Sequence, residues 1–170
     1  NKGNSGLIKM IDGRILKILT KISSHYYKEY KKNNDKAYLK STNMLYRLFL
    51  KIYKDTIQAY DIRFHFAETE EYIGRRSNAV RNYHVIVKSK KKKLTHHREI
   101  ASERMVALQI QIVKAKKYPN LGKDALIKKP IKIEKEKTIL ASVIDTFLKY
   151  FPRNKSSNER RFLAAYIYYD

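Results

Sequence analysis

The chain of 170 residues has no cysteine and no tryptophan, and it contains only 3 prolines and 5 glycines. The absence of cysteine excludes a disulfide scaffold and any zinc module that binds its metal through thiolates. Carboxylates are also scarce, with 16 Asp and Glu against 38 Lys and Arg. The sequence has no glycine-rich phosphate loop and no nucleophile elbow. We therefore expect no catalytic residues, no metal and no cofactor.

The chain also lacks a long hydrophobic run. No stretch approaches the ~20 apolar residues that cross a bilayer, and the basic residues are spread along the chain instead of lying on one amphipathic helix. A membrane partner is therefore not expected. Hydrophobic residues make up 43% of the sequence, which is enough for a core, so we predict a single domain over residues 1–170.

Positive charge is what the sequence has in excess. The formal net charge is +22, and self-repulsion of that size opposes compaction unless a polyanion neutralises it. This excess predicts a nucleic acid as the partner. Lysine, isoleucine, tyrosine and asparagine are abundant, a bias typical of AT-rich genomes. We expect a mitochondrial location or, failing that, the cytoplasm of an AT-rich microbe. The chain begins at Asn1 rather than Met, so any targeting peptide would lie outside this sequence.

Apolar residues at helical spacing predict a mainly α fold, a helical bundle of five or six helices. After a flexible arm over residues 1–6, the predicted helices are 7–26 with a break at Asp12 and Gly13, 43–60, 95–117, 140–151, and a last one after Ser156. The clearest core helix is 43–60, where Met44, Leu48, Phe49 and Ile52 belong to one apolar stripe. Residues 28–40 are interpreted as a linker or a frayed helix end, and residues 120–133 as a loop.

Residues 62–93 depart from the helical pattern. In the run from Ile62 to Ala67 and in the run from Tyr83 to Lys88, every second residue is apolar. Period-two alternation on both sides of a turn-like segment that contains Gly74 predicts a β-hairpin. We therefore expect one protruding basic β-hairpin, over 62–93, between the middle helices of the bundle.

The candidate RNA-binding residues are basic side chains on and around this hairpin and on nearby helices. Arginine offers forked contacts to phosphate and lysine offers a mobile point charge, and a basic stripe presented by a fold is the expected footprint of nucleic-acid binding. The candidates are Lys9, Arg14, Arg63, Arg75, Arg76, Arg81, Lys88, Lys90, Lys91, Lys92, Lys93, His96, His97, Arg98 and Arg104. The alternative interpretation is a solvated charged loop.

Histidines and aromatic residues near the hairpin allow further roles. His65, His84, His96 and His97 match no metal-binding spacing, so phosphate or base contacts, or plain surface positions, are expected for them. Tyr72 is a candidate for stacking on an unpaired base. Phe64 is expected to pack against a neighbouring strand instead.

Three segments of the sequence resemble the small-ribosomal-subunit protein seven family. The segment from Ile8 to Arg14 is similar to the family's apolar residues followed by Asp-Gly-Lys at the first helix break. Ile73 and Gly74, with Tyr83 to Val87 downstream, resemble the family's Val-Gly-Gly and Tyr-Gln-Val-Pro-Val in its hairpin arm. The segment from Ala165 to Tyr169 resembles the closing Ala-Phe-x-His-Tyr of the last helix. The sequence departs from the family at Arg75, which replaces a glycine, at Met105, near a usual Trp, and in a longer loop over 123–135.

The resemblance implies a structural constituent of the small ribosomal subunit. It implies binding to the 3′ major domain of ribosomal RNA in the head, with the hairpin near the exit-site tRNA and the mRNA, and with other ribosomal proteins as neighbours. Two alternatives stay open. One is another basic ribosomal protein of either subunit, and the other is a metal-dependent enzyme that cleaves nucleic acids.

Overall fold

The computed structural model describes residues 2–54, 56–89, 96–116 and 135–169. Within these ranges it contains seven α-helices and no β-strand. They are α1 (Lys2–Asn33), α2 (Lys36–Ile52), α3 (Gln58–Tyr72), α4 (Arg76–Val87), α5 (Arg98–Ala115), α6 (Lys135–Tyr150) and α7 (Ser157–Tyr169). The mainly α, bundle-like class is confirmed, but the predicted number of five or six helices is too low, because two helices, α3 and α4, take the place of the predicted hairpin. The predicted loop over 120–133 lies outside the described residues.

The chain divides into two compact units, residues 1–82 and residues 83–170, and the division falls inside α4. The expectation of one RNA-binding domain over the whole chain stays a prediction.

The first unit contains three long helices that run up, down and up. The Tyr53 hydroxyl lies 3.4 Å from the Asp12 carbonyl, which joins the end of α2 to an early turn of α1. Lys31 lies 2.7 Å from the Tyr72 hydroxyl, which joins the end of α1 to the end of α3. The helix α2 packs against both neighbours. The core cluster consists of Tyr46, Phe49, Leu50, Ala59, Ile62 and Phe66, with Leu16, Leu19, Tyr27 and Tyr53 packed against it.

The helix α1 continues through Asp12 and Gly13, so the predicted break there is wrong. Residues 2–6 are helical too, where a flexible arm was expected. A glycine inside a helix costs only about 1 kcal/mol relative to alanine. Burying part of Leu16 and Leu19 against the core cluster is worth more than that, since full burial of one such side chain contributes about 1.5–3 kcal/mol.

A two-residue turn joins α1 to α2, so the interpretation of residues 28–40 as a linker is also wrong. Asn34 has a φ of 52° and its N–H donates to the Tyr30 carbonyl at 2.7 Å, which ends α1. The Asp35 carboxylate accepts a 2.7 Å hydrogen bond from the N–H of Ala37 and caps α2. Asparagine tolerates the left-handed conformation and aspartate is a strong N-cap residue, so these two side chains fix the turn.

The β-hairpin predicted over 62–93 is wrong, because α3 and α4 take its place within the described residues 62–89. Gly74 ends α3 instead of turning a hairpin. Its φ is +87°, its N–H donates to the Glu71 carbonyl at 2.9 Å, and the N–H of Arg75 donates to the Glu70 carbonyl at 2.8 Å. This pair of bonds is the Schellman arrangement that closes helices at a glycine.

The alternation of apolar residues led to the wrong prediction of a β-hairpin for a different reason in each helix. In α3, Ile62, Phe64 and every residue from Phe66 to Glu70 are buried, and a helix buried over so wide a surface loses its clear 3.6-residue pattern. In α4 the buried residues are Ala79, Val80, Tyr83, Ile86 and Val87. These positions follow the three-and-four spacing of a helix, whereas Val85 is 52% exposed.

The second unit contains α5, α6 and α7, and α6 packs against both other helices. Its fully buried side chains include Met105 and Val106 of α5 and Ile144 and Phe147 of α6. The side chain of Asn154 donates to Glu99 at 2.8 Å and to Glu103 at 3.2 Å, which ties the turn after α6 to the first turns of α5. The helices predicted over 95–117, over 140–151 and after Ser156 are confirmed.

Candidate nucleic-acid interface

The structure distributes the candidate residues over both units. In the first unit, Lys9 and Arg14 lie in α1, Arg63 in α3, Arg75 directly after α3, and Arg76 and Arg81 in α4. In the second unit, Lys88 follows α4, His96 and His97 precede α5, and Arg98 and Arg104 lie in α5. The block Lys90 to Lys93 lies outside the described residues.

Three of the candidate arginines contact other residues of their own unit. Arg63 donates to the Asn82 side chain at 3.2 Å. Arg104 donates to the Tyr83 hydroxyl at 3.2 Å. Arg98 donates to the Ser89 carbonyl, and its guanidinium lies 5.5 Å from the centroid of the Tyr150 ring. All three side chains are half-buried, so they present less charge to a ligand than Arg75, Arg76 and Arg81, which are exposed.

A buried carboxylate, Glu70, organises the basic surface of the first unit. Its side chain has 0% exposure and lies in the last turns of α3. The Oε1 atom accepts from the Asn43 amide at 2.7 Å and from Arg47 and Arg75, both at 3.4 Å. The Oε2 atom accepts from the Asn78 amide at 2.9 Å. We call Asn43, Arg47, Glu70, Arg75 and Asn78 the Glu70 cluster.

Local structure explains why these five residues meet. The Schellman turn at Gly74 reverses the chain and places Arg75 and Asn78 close to the end of α3. The antiparallel direction of α2 places Asn43 and Arg47, which are one helical turn apart, beside the same carboxylate. Arg81 extends the cluster by donating to the Asn78 side chain. The cluster is therefore assembled from α2, α3, the turn and α4.

The Glu70 carboxylate stays charged in this environment. Burial by itself would raise the pKa of Glu70, but the hydrogen bonds from Asn43 and Asn78 and the charges of Arg75 and Arg47 lower it below its ordinary value of 4.5. Two cations therefore flank one buried anion. The Arg47 and Arg75 side chains are 59% and 49% exposed, so the cluster shows positive charge to solvent.

Sequence reasoning missed Arg47 and Glu70. A signal existed in the spacing of Asn43 and Arg47, which share a helical face. Nothing in the sequence indicated that this face meets the end of α3.

An aromatic and basic group lies where α1 and α3 end. The Lys31 ammonium lies 4.4 Å from the centroid of the Tyr72 ring, and the rings of Tyr30 and Tyr72 are 5.7 Å apart. Tyr72 is 43% exposed, so its role as a stacking platform stays a prediction. Phe64 is buried, which confirms that it packs inside, although it does so in a helix and not across strands.

His65, His84 and the pair His96 and His97 lie in three different surroundings. His65 Nδ1 lies 2.8 Å from Glu68 Oε2, and the same oxygen accepts a 2.9 Å hydrogen bond from the Tyr27 hydroxyl. Burial, with a smaller effect from Lys88, lowers the pKa of His84. The rings of His96 and His97 lie 4.1 Å apart. The contacts of His65 support a structural role for that residue.

Comparison with models of protein families, with curated proteins and with solved structures found no match. Within the part of the chain that the structure describes, no helix is both long enough and apolar enough to cross a membrane.

Proposed function

We propose that the protein binds RNA as a non-catalytic, structural component of a ribonucleoprotein particle. The observation that carries the proposal is the Glu70 cluster, in which a buried carboxylate holds two exposed arginines on a chain of net charge +22. Fixed arginines suit phosphate contacts because less side-chain freedom is lost when the contact forms. Phosphate contacts supply most of the affinity in such complexes.

The proposal extends to the small ribosomal subunit, with the 3′ major domain of its RNA in the head as the binding region and a mitochondrial ribosome as the particle. This extension rests on the segment Ala165 to Tyr169 and on the net charge. The segment Ile8 to Arg14 adds only the similarity of its residues, because α1 continues through the helix break that the resemblance implied at Asp12 and Gly13. The middle segment of the resemblance gives no support, because it was expected on a hairpin arm and lies in a helix cap and in α4.

Two measurements test the proposal. The tagged protein, expressed in its native host, should sediment with small ribosomal subunits in a density gradient, and its crosslinks to RNA should include the region from Arg75 to Lys93. Recovery as a free monomer, or with the large subunit alone, would reject the ribosomal extension.

RNA affinity of the purified protein should fall steeply between about 50 and 200 mM salt, because neutralised phosphates release counterions. A salt-insensitive interaction would reject phosphate binding itself. Magnesium-dependent cleavage of the RNA would reject the non-catalytic role in favour of a nuclease.

A further inference from the structure

We propose that Arg47 and Arg75 together form a binding site for one phosphodiester group of an RNA strand, with Glu70 as the residue that positions both. This inference rests on the proposed RNA-binding function and names the contact that would carry part of it. Arg47 is the new participant, since the sequence pointed only to Arg75.

Arg47 Nη2 and Arg75 Nη1 each lie 3.4 Å from the same oxygen, Glu70 Oε1, so the two guanidinium groups are neighbours although they lie 28 positions apart in the sequence. A guanidinium has five N–H donors in a rigid fork. The contacts to Glu70 and the 3.5 Å contact of Arg47 to Asn43 use one terminal nitrogen of each arginine. The rest of each fork lies on a half-exposed side chain and can donate to a ligand.

Two guanidinium groups and one carboxylate sum to a single positive charge, and a phosphodiester carries a single negative charge. One backbone phosphate therefore neutralises the site. The Glu70 carboxylate does not repel it strongly, because its side chain has 0% exposure and both its oxygens accept hydrogen bonds from the protein.

Both arginines are preorganised for a ligand. The backbone at Arg75 is fixed by its 2.8 Å hydrogen bond to the Glu70 carbonyl, and Arg47 lies on a helix whose neighbouring turn is tied to Glu70 through Asn43. Ligand binding then costs less side-chain entropy than it does at a lone surface lysine. The structure supplies such a carboxylate-bound pair at Arg47 and Arg75.

The test measures binding of a short fluorescent single-stranded RNA to the full chain and four variants: R47Q, R75Q, the double variant R47Q/R75Q, and a control, K17Q/K51Q. Lys17 and Lys51 are exposed residues of α1 and α2, so the control removes the same charge from the same unit. We expect each single arginine variant to lower affinity about tenfold, as the loss of a charged hydrogen bond does. The double variant should lose much less than the product of the two single losses, because both arginines hold one phosphate.

A charge-conserving variant separates an effect on RNA binding from an effect on folding. R47K/R75K keeps two cations beside Glu70 but removes the forks, so it should keep the helical circular dichroism spectrum and the urea midpoint while RNA affinity falls about tenfold. If R47K/R75K binds RNA as the wild type does, the forked phosphate site is rejected.

Competition with inorganic phosphate tests whether the arginine pair recognises a phosphate group. At constant ionic strength, replacing chloride by inorganic phosphate should weaken RNA binding by the wild type more than by R47Q/R75Q. Equal competition in both proteins would reject the pair as a phosphate site. If R47Q/R75Q merely matches K17Q/K51Q in RNA affinity, the arginine pair is rejected and the proposed function survives. If the wild type does not bind RNA at all, the proposed function itself fails.

Discussion

At the scale of single residues, Glu70 is both a structural and an electrostatic centre. A buried carboxylate is stabilised only when hydrogen bonds and opposite charges replace the water it has lost. Here Asn43, Asn78, Arg47 and Arg75 do so. Replacing Glu70 removes the acceptor that four side chains share, so the consequences include the fold as well as the surface charge.

The lowered pKa of Glu70 predicts how its contribution depends on pH. The folded protein binds the proton of Glu70 less tightly than the unfolded chain, so the contribution is fully present above about pH 4.5 and is lost as the pH falls through the lowered pKa. We expect E70Q to reduce the free energy of unfolding by about 2 kcal/mol at neutral pH. The difference between wild type and E70Q should shrink in acid.

Urea unfolding at several pH values measures this difference. The control is E29Q, since Glu29 accepts a solvent-exposed 3.1 Å hydrogen bond from Asn33 within its own helix. E29Q should change the free energy of unfolding by less than about 0.5 kcal/mol. A penalty for E70Q that is the same at every pH would contradict the assignment of a charged, buried carboxylate.

At the scale of elements, two glycines give opposite predictions for the same substitution. Gly74 has a φ of +87° at the end of α3, whereas Gly13 lies inside α1. At either position an added methyl group meets no atom of another described part of the chain within 4 Å. G74A should therefore destabilise the protein by about 1–2 kcal/mol through backbone strain alone. G13A should stabilise it by about 0.5–1 kcal/mol, because alanine loses less backbone freedom on folding. Denaturation midpoints of the two variants check this; changes of the same sign would contradict the helix end at Gly74 or the continuous α1.

The helical structure of α4 predicts which of two substitutions costs more stability, and a hairpin would reverse that order. Ile86 is fully buried and Val85 is 52% exposed, whereas a strand from Tyr83 to Val87 would place Val85 on the face shared with Tyr83 and Val87. We expect I86A to cost about 2–4 kcal/mol, as the loss of a buried side chain does. V85A should cost less than about 0.5 kcal/mol. Urea unfolding of both variants decides between the two structures, and a larger cost for V85A would favour the strand.

At the scale of the whole molecule, charge is the dominant property. Among 170 residues, 38 are basic and 16 acidic, and repulsion between the excess cations opposes the compact state. Salt shortens the range of that repulsion, from a Debye length of about 10 Å at 0.1 M to about 3 Å at 1 M.

The melting temperature should therefore rise by about 2–4 °C for each 1 kcal/mol of repulsion that salt screens. Thermal unfolding followed by circular dichroism in increasing sodium chloride measures this rise. A polyanion such as heparin should have a similar effect at low ionic strength, since it neutralises the same charges. A melting temperature that falls with salt would mean that ion pairs such as Arg47 with Glu70 outweigh the net repulsion.

Sequence and tertiary structure determined different properties of this protein. Composition alone indicated a basic, cysteine-free chain suited to a polyanion, because net charge is a sum that does not depend on the fold. Helical periodicity alone located α5, α6 and α7. In α4 the helical spacing is also present, at Ala79, Tyr83 and Ile86. The prediction of a strand followed the alternation of Tyr83, Val85 and Val87 instead, and it is wrong.

Only the tertiary structure decided which apolar side chains are covered and which polar ones meet. Met44, Leu48 and Ile52 belong to the apolar stripe of α2 but are exposed, whereas Thr69 and Glu70 of α3 are fully buried. Local sequence fixes the face on which a side chain lies, but not which faces another helix covers. The meeting of Arg47 with Arg75 at Glu70 depends on the antiparallel packing of α2 against α3 and on the turn at Gly74. Contacts between residues far apart in sequence leave no local pattern, so the arginine pair is visible only in the folded chain.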